Sequence, residues 1–465
     1  MSALDAMFLH ADDGTTHLHI GSCAVFAGPA PSMDELIALI SSKLHLAHRF
    51  RQKVRQVPGG LGRPVWVDDP DFDLCYHVRH SALPPRASAQ DLDNLMGRLM
   101  SQELDRTRPL WEMWLVEGLP RKRWALISKV HHCMVDGVSG TDLMTVLMDA
   151  TPDAQITPPT AWTPDPEPSD GRLLLDAMTG LLLAPGRLAV SVVRGASTPS
   201  KALHQLTDTF AGLRSFGRRL TPQSPPLSIE GSIGSHRRWA VARCKLAETK
   251  AIRQVLGGSV NDVVLTAITA AFRDLLVQRG DVVDHATISS LVPVSVRSAD
   301  DHTHNNQVSL MIAELPVGIA DPLERLRAVT AGMAELKRSN QATAGVAAFD
   351  VADMLPPALF AAGVRAAMSI MHRTQQRTIN TVTTNVFGPP YPLFALGRKM
   401  VDYLPFVPLS PGVRIGVAIL SYNGRLAFGV TGDYDSAPDV QTMAEGIEAA
   451  IAELSELART GASPR

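Results

Sequence analysis

The spacing of apolar positions divides the chain into two stretches of alternating strand-like and helix-like pattern, with a proline-rich break between them. Leu18 to Phe26 predicts a strand, and Met33 to Leu46, with Leu36, Ile37, Ile40 and Leu44 on one face, predicts an amphipathic helix. A second helix is expected over Ala89 to Leu104, then strands at Met113 to Glu117 and Arg123 to Val130, then a helix from Ser139 to Asp149. Six prolines between Thr151 and Asp170 deny that segment a regular helix or an inner strand, because each removes a backbone donor and fixes φ. Beyond them Leu173 to Leu183 is leucine-rich. Leu203, Leu206, Phe210 and Leu213 share one helical face, with Arg214, Arg218 and Arg219 close behind, and Pro222 to Pro226 closes the region.

From about His236 the alternation resumes. Arg237 to Lys245 and Thr287 to Val296 predict strands, and Asn261 to Val277 and Pro322 to Arg338 predict helices. Val413 to Tyr422 and Arg425 to Tyr434 predict a hairpin over Asn423-Gly424. Pro438 precedes a last helix reaching about Ala458. At 465 residues the chain is too long for one ordinary core. The expected architecture is therefore α/β, with two domains of strands and helices, residues 1–150 and 236–465, joined by a long linker over 151–235.

Composition narrows the class. With 45% hydrophobic and 19% charged residues and a net charge of −2, the chain lacks the basic excess that nucleic-acid binding calls for. Cys23, Cys75, Cys133 and Cys244 are scattered without pairs, which favours free thiols in a reducing compartment. Met1 to Leu9 contains Asp5 and lacks a basic stretch followed by a long apolar run, so it does not read as a secretory signal. The leucine-rich run to Val193 is interrupted by Asp176, Pro185, Gly186 and Arg187, too soon for a membrane span. A cytoplasmic protein is expected, with any membrane contact peripheral.

The candidate chemistry lies in His131-His132-Cys133-Met134-Val135-Asp136-Gly137, where a predicted strand turns into a predicted helix. Neighbouring strand side chains point to opposite faces, so one histidine should face a cleft and the other should pack inward. Gly137 permits the turn, and Ser139 with Asp142 forms a candidate capping box. A rigidly held neutral imidazole suits a base that takes the proton of a hydroxyl nucleophile near pH 7. A lone histidine here would read as core packing; a tandem pair with Asp-Gly at fixed spacing is harder to dismiss. Consecutive strand histidines diverge and rarely chelate one ion, so no metal is expected. Cys133 as nucleophile is disfavoured by the same divergence.

This motif fits the H-H-x-x-x-D-G signature of the chloramphenicol-acetyltransferase-like superfamily, which includes peptide-synthetase condensation domains. Further segments resemble the bacterial wax ester synthase/acyl-CoA:diacylglycerol acyltransferases: Leu4-Asp5-Ala6, Leu18-His19-Ile20-Gly21, Pro109-Leu110-Trp111, Ser259 to Leu265, Pro293 to Arg297, and Thr384-Asn385-Val386-Phe387-Gly388-Pro389. They run in family order from residue 4 to 389 and cover nearly the whole chain. Phe387 stands where the family commonly has proline. No Gly-x-Ser-x-Gly elbow, dinucleotide fingerprint or phosphate loop is present.

The resemblance implies two chloramphenicol-acetyltransferase-like domains with mixed sheets, facing each other across a channel that admits acyl-CoA from one side and the acceptor from the other. It makes His132 the general base and His131 a supporting residue. Asp136 becomes a structural residue that orients the loop, with Arg297 as its candidate partner, and Asn261 a candidate polar group of the site. Pro109, Trp111, Asn385 and Gly388 are candidates for the substrate pocket, with core packing the alternative for Pro109 and Trp111. The implied reaction moves a long acyl chain from acyl-CoA to diacylglycerol, or to long-chain alcohols, with acyl-CoA as co-substrate and no other cofactor. The expected surroundings are the inner membrane or a lipid-droplet surface. Two alternatives stay open: a condensation-type transferase with a carrier-bound donor, and a non-catalytic lipid-binding protein.

Overall fold

The computed structural model describes residues 1–134, 146–153, 156–179, 226–295, 308–338, 357–374 and 378–461. The first half opens with helix α1 (Ala3–Ala11), started by a capping box in which Ser2 Oγ accepts from the Asp5 N–H at 3.1 Å and Asp5 Oδ2 accepts from the Ser2 N–H at 3.4 Å. Strand β1 (His19–Ala27), helix α2 (Met33–Lys43) and a small hairpin of β2 (Gln52–Arg55) and β3 (Val65–Asp68) follow. Then come β4 (Val78–Ala82), helix α3 (Ala89–Met100), β5 (Trp111–Leu119) and β6 (Arg123–His131).

The second half contains β7 (Arg237–Lys245), α4 (Leu246–Leu256), α5 (Val260–Gln278), β8 (Ile288–Ser295), β9 (Val308–Leu315), α6 (Pro322–Arg338) and α7 (Pro357–Thr374). Strands β10 (Thr381–Phe387), β11 (Phe394–Ala395), β12 (Arg398–Phe406), β13 (Ile415–Tyr422) and β14 (Arg425–Asp433) and helix α8 (Val440–Thr460) complete it.

These strands make two six-stranded mixed sheets. The first runs β11-β12-β1-β6-β5-β4, with only β4 and β5 parallel; the second runs β7-β14-β13-β10-β8-β9, with β10 parallel to both β8 and β13. In the first sheet the period of two sorts side chains to two covered faces. Ala24, Phe26, Trp124 and Leu126 pack with Leu36, Leu39 and Ile40 of α2. Cys23, Val25, Ala125 and Ile127 pack with Leu95, Met96 and Leu99 of α3. In the second half α5 is buried almost all round, from Val263 to Phe272, as suits a helix enclosed by a sheet and other helices.

The halves are joined by more than chain connectivity. Strands β11 and β12 come from the later stretch of sequence yet pair into the first sheet, β12 running antiparallel beside β1. Trp239 of β7 donates its Nε1–H to the Pro405 carbonyl of β12 at 3.1 Å. At Gly429 of β14 a side chain would overlap that same carbonyl, so only glycine allows the two sheets this approach. The buried Arg237 guanidinium donates to the Gly234 and His236 carbonyls at 2.5 and 2.9 Å, and to the Thr15 carbonyl of the first half at 2.5 Å.

The proline-rich segment is docked, not a free tether. Arg55 pairs with Glu167 at 3.3 Å and Asp170 at 2.6 Å, the Asp165 N–H donates to Asp68 at 3.1 Å, and the Arg51 guanidinium lies 4.9 Å from the Trp162 ring centre. Proline has no N–H to donate to a ladder, but an extended chain can still be held by ion pairs and ring contacts. Most predicted elements stand close to their expected places, among them β7, α6 and the Asn423-Gly424 hairpin. The leucine-rich stretch is helical over residues 170–179, where description stops; Leu203 to Leu213 and most of the predicted helix from Ser139 to Asp149 lie outside the described residues.

Candidate active site

The chain leaves strand β6 at His131, and His132 to Met134 form one 3₁₀ turn. The strand alternation expected for the two histidines therefore stops between them, because only His131 keeps strand geometry. His131 is fully buried and lies opposite His19 in the β1–β6 register, while His132 is half-buried on the turn.

Two of the quoted sequence motifs act through their backbone. The His131 N–H donates to the Leu110 carbonyl at 2.9 Å, and the His132 N–H donates to the Leu18 carbonyl at 2.8 Å. Pro109-Leu110-Trp111 and Leu18-His19-Ile20-Gly21 thus grip the two histidines from neighbouring strands. Trp111 itself is 1% exposed, stacks on His77 at 4.6 Å and donates Nε1–H to the Phe50 carbonyl at 2.8 Å. Its surroundings are core side chains, which makes it a packing residue that fixes β5, and with Ile40, Leu44, Phe50, Met113 and Leu147 it also lines a small apolar cavity. Pro109 is buried, and its carbonyl accepts from the Trp111 N–H at 2.9 Å.

The His131 ring is fixed on both edges. Its Nδ1 accepts from the Cys133 N–H at 3.1 Å, so the ring hydrogen sits on Nε2, which donates to Asp12 Oδ2 at 2.8 Å. The Asp12 side chain, only 6% exposed, also meets Arg106 Nη2 at 3.3 Å. One turn back on α1, the Phe8 ring stacks on His132 with centroids 4.0 Å apart and planes 23° apart. Asp12, Phe8 and Arg106 were not anticipated from the sequence. A signal for Asp12 exists: an anion at a helix C-terminus opposes the helix dipole, so a carboxylate retained there calls for cationic or N–H partners.

Burial pushes the His132 pKa down to about 4, which keeps its imidazole neutral at pH 7. Its Nδ1 has no hydrogen-bond partner among the described residues. His17 and His19 are likewise held below the usual histidine range by burial. Lys129, two residues before His131 and fully buried, donates to the Leu99 carbonyl at 3.0 Å and to the Gln102 carbonyl, closing the end of α3. Burial raises the Cys133 thiol pKa, so Cys133 stays protonated and makes a poor nucleophile.

In the second half two candidates meet: Asn385 Nδ2 of β10 donates to Asn261 Oδ1 at the start of α5, at 3.3 Å. Ser259 and Asp262 form that helix's capping box, which leaves Asn261 free of capping duty. Gly388 donates its N–H to the Ser421 carbonyl at 2.9 Å, and a side chain there would overlap that carbonyl. Phe387 beside it is 81% exposed. Asp136, Gly137 and Arg297 lie outside the described residues.

Residues 1–264 match the wax ester synthase/diacylglycerol acyltransferase catalytic domain, and residues 304–455 match the C-terminal domain of the same family. The chain belongs to the wax ester synthase/diacylglycerol acyltransferase family. Among its relatives in that family, a probable diacylglycerol O-acyltransferase, tgs1, of Mycobacterium tuberculosis is 36% identical over 467 residues, covering 98% of this chain and 95% of the relative. The solved wax ester synthase/diacylglycerol acyltransferase from Marinobacter aquaeolei VT8 superposes with a TM-score of 0.67 at 26% identity, covering 98% of both chains. The starter condensation domain of rhizomide synthetase shares the fold at a TM-score of 0.57 and 13% identity, covering 100% of this chain and 95% of that one. In this wax ester synthase/diacylglycerol acyltransferase family member the catalytic-domain match runs on into β7, α4 and the first turn of α5, which build the second sheet's side of the molecule. The enzyme is thus an acyltransferase with two mixed-sheet halves.

Proposed function

We propose that this acyltransferase moves a long-chain acyl group from acyl-CoA to diacylglycerol, with long-chain alcohols as further acceptors, and that His132 is the general base. The observation that carries the assignment is the His132 turn: a neutral imidazole presented from backbone gripped by two neighbouring strands. In the proposed reaction the imidazole takes the acceptor hydroxyl's proton as its oxygen attacks the thioester carbonyl. The tetrahedral intermediate then collapses with cleavage of the C–S bond, and the proton passes from imidazolium to the departing thiolate. Such base catalysis is worth roughly 10²–10⁴ in rate. Acyl-CoA is a co-substrate in this scheme, and no further cofactor is invoked. Asn261 and Asn385 are proposed to supply polar contacts to the substrate from the second half, and Asp136 to brace the turn with Arg297.

The acceptors are water-insoluble, so we propose peripheral contact with a lipid surface, the inner membrane or a lipid droplet, in the cytoplasm. In support, no single helix among the described residues is long and apolar enough to cross a membrane. Helix α7 exposes Leu359 and Ile370 and packs against α1, the helix that carries Phe8. The test is purified protein with radiolabelled long-chain acyl-CoA against diacylglycerol, a fatty alcohol and an amine-terminated carrier thioester, beside His132→Ala. Esterification of diacylglycerol that falls at least roughly 10²-fold in His132→Ala supports the proposal. Transfer only from or to carrier-bound groups would favour a condensation-type enzyme, and lipid binding without transfer a non-catalytic one.

A further inference from the structure

We propose that Asp12 is a positioning residue for the histidine turn: its carboxylate holds His131 in the Nε2–H tautomer, so that His131 Nδ1 stays free to accept the Cys133 N–H and fix the turn that presents His132. The inference rests on the reading of His132 as the base.

The geometry is a relay of two hydrogen bonds through one ring. Asp12 Oδ2 lies 2.8 Å from His131 Nε2, and the Cys133 N–H lies 3.1 Å from His131 Nδ1. A neutral imidazole carries one hydrogen, and the acceptor it faces decides which nitrogen holds it. With the Asp12 carboxylate on the Nε2 side, only the Nε2–H form satisfies both contacts. In the other tautomer the Nδ1–H would face the Cys133 N–H, donor against donor, and Nε2 would aim its lone pair at the carboxylate. The 3₁₀ turn would then have to open, and His132, which shares it, would move.

The surroundings of Asp12 fit this duty. The carboxylate is nearly enclosed, and the groups facing it are Arg106 Nη2 at 3.3 Å from Oδ1, His19 Nε2 at 3.9 Å and the Leu18 N–H at 3.4 Å from Oδ2. Arg106 also donates to the Asp12 carbonyl at 3.0 Å, which anchors the end of α1. Leu18 is the residue whose own carbonyl receives the His132 N–H. Asp12 therefore touches the turn by two routes, through the His131 ring and through the Leu18 backbone. Phe8 and Asp12 are one helical turn apart, so α1 places one side chain on each histidine. An anion at the C-terminal end of a helix opposes the dipole, and here the His131 N–H and the Arg106 guanidinium compensate it.

The test uses full-length protein labelled with ¹⁵N-histidine, with the ring tautomers read from long-range ¹H–¹⁵N correlations and steady-state kinetics run in parallel. The wild type is expected to show His131 with hydrogen on Nε2. Asp12→Ala is expected to shift His131 toward Nδ1–H and to lower kcat by about tenfold to a hundredfold, the scale set by misplacement of a catalytic group by about 1 Å, while KM for acyl-CoA stays within about twofold. Asp12→Asn, whose amide oxygen still accepts the Nε2–H, is expected to keep the tautomer and restore kcat to within about threefold of wild type. A folded Asp12→Ala with wild-type kcat overturns the proposal. So does Asp12→Asn that switches tautomer with no loss of rate, or that is as slow as Asp12→Ala with the tautomer kept; this variant decides the matter if Asp12→Ala does not fold. Near-normal turnover in His132→Ala would end the base assignment instead, and the His131 tautomer would still report on Asp12.

Discussion

The two halves are built from similar sheets but bury polar groups to different ends. Near the His132 turn the first half encloses His17, His19, Lys129 and His131, with Asp12 among them, and the Nδ1 atoms of His17, His19 and His132 have no partner among the described residues. In the second half most buried hydroxyls are consumed locally: Thr381 donates to the Ile415 carbonyl, Ser290 to Thr383, and Thr266 and Thr269 to their own helix, while Thr431 Oγ1 of β14 has no partner among the described residues. A buried polar atom without a partner costs free energy. The first half gathers such atoms beside its proposed base, whereas in the second half the large apolar core is wrapped around α5. Reactivity and stability should therefore separate between the halves.

The largest expected effect is on the scaffold side. Phe272 is fully buried on α5, and Phe272→Ala should cost about 3–5 kcal/mol of stability while the kcat of the folded fraction stays within about twofold. Denaturant unfolding with active-site titration checks it; a kcat loss matching that of His132→Ala would erase the contrast. Next comes His132→Ala itself, expected to lower kcat at least roughly 10²-fold, about 2.7 kcal/mol, with little change in the unfolding midpoint.

The third expectation concerns pH. His132, at about 4, and His17, His19 and His77 are all held below the ordinary histidine value by burial. The unfolded chain takes up protons near pH 6.5 while the folded form resists. The His132 contribution to stability is complete above about 6.5 and is lost as pH falls toward about 4, and His17, His19 and His77 act in the same direction. Melting temperatures across that window should fall, and the decline should be shallower in His19→Gln. For His132 as base, the acid limb of kcat/KM should lie near 4 and not near 6.5; a limb at 6.5 would show that a different group titrates.

The smallest effect belongs to the amide pair across the second half. A double-mutant cycle on Asn261→Ala and Asn385→Ala should give a coupling of about 0.5–1 kcal/mol in kcat/KM, the size of one neutral hydrogen bond. Strict additivity would mean that the 3.3 Å contact does not matter to the reaction.

Much of this is legible in the sequence. Periodicity placed β1, α2, β6, β7, α5, α6 and the last hairpin, because each buries one face or is buried whole, and burial leaves a period in the sequence. The tandem histidines marked the candidate site because their neighbours form a local turn. Helix α1 was missed as an element: its nine residues carry a weak amphipathic pattern, and its role shows only when Phe8 and Asp12 meet residues more than a hundred positions away. Trp111 drew attention as a motif residue, with core and pocket both open, because a tryptophan in either place looks alike in a string of letters.

The sequence by itself determined the local matters: which segments alternate, where a run of prolines rules out a regular helix, and that a histidine pair ends a strand. Tertiary structure decided the rest. Strand β12 crosses into the first sheet, the Leu18 and Leu110 carbonyls close on the histidine amides, Arg237 reaches Thr15, and Asp12 arrives at His131. The reason is range. Periodicity and capping are settled by neighbours within a few residues and write themselves into the sequence, whereas a hydrogen bond between distant residues leaves only two ordinary polar letters far apart until the sheets bring them within 3 Å or so.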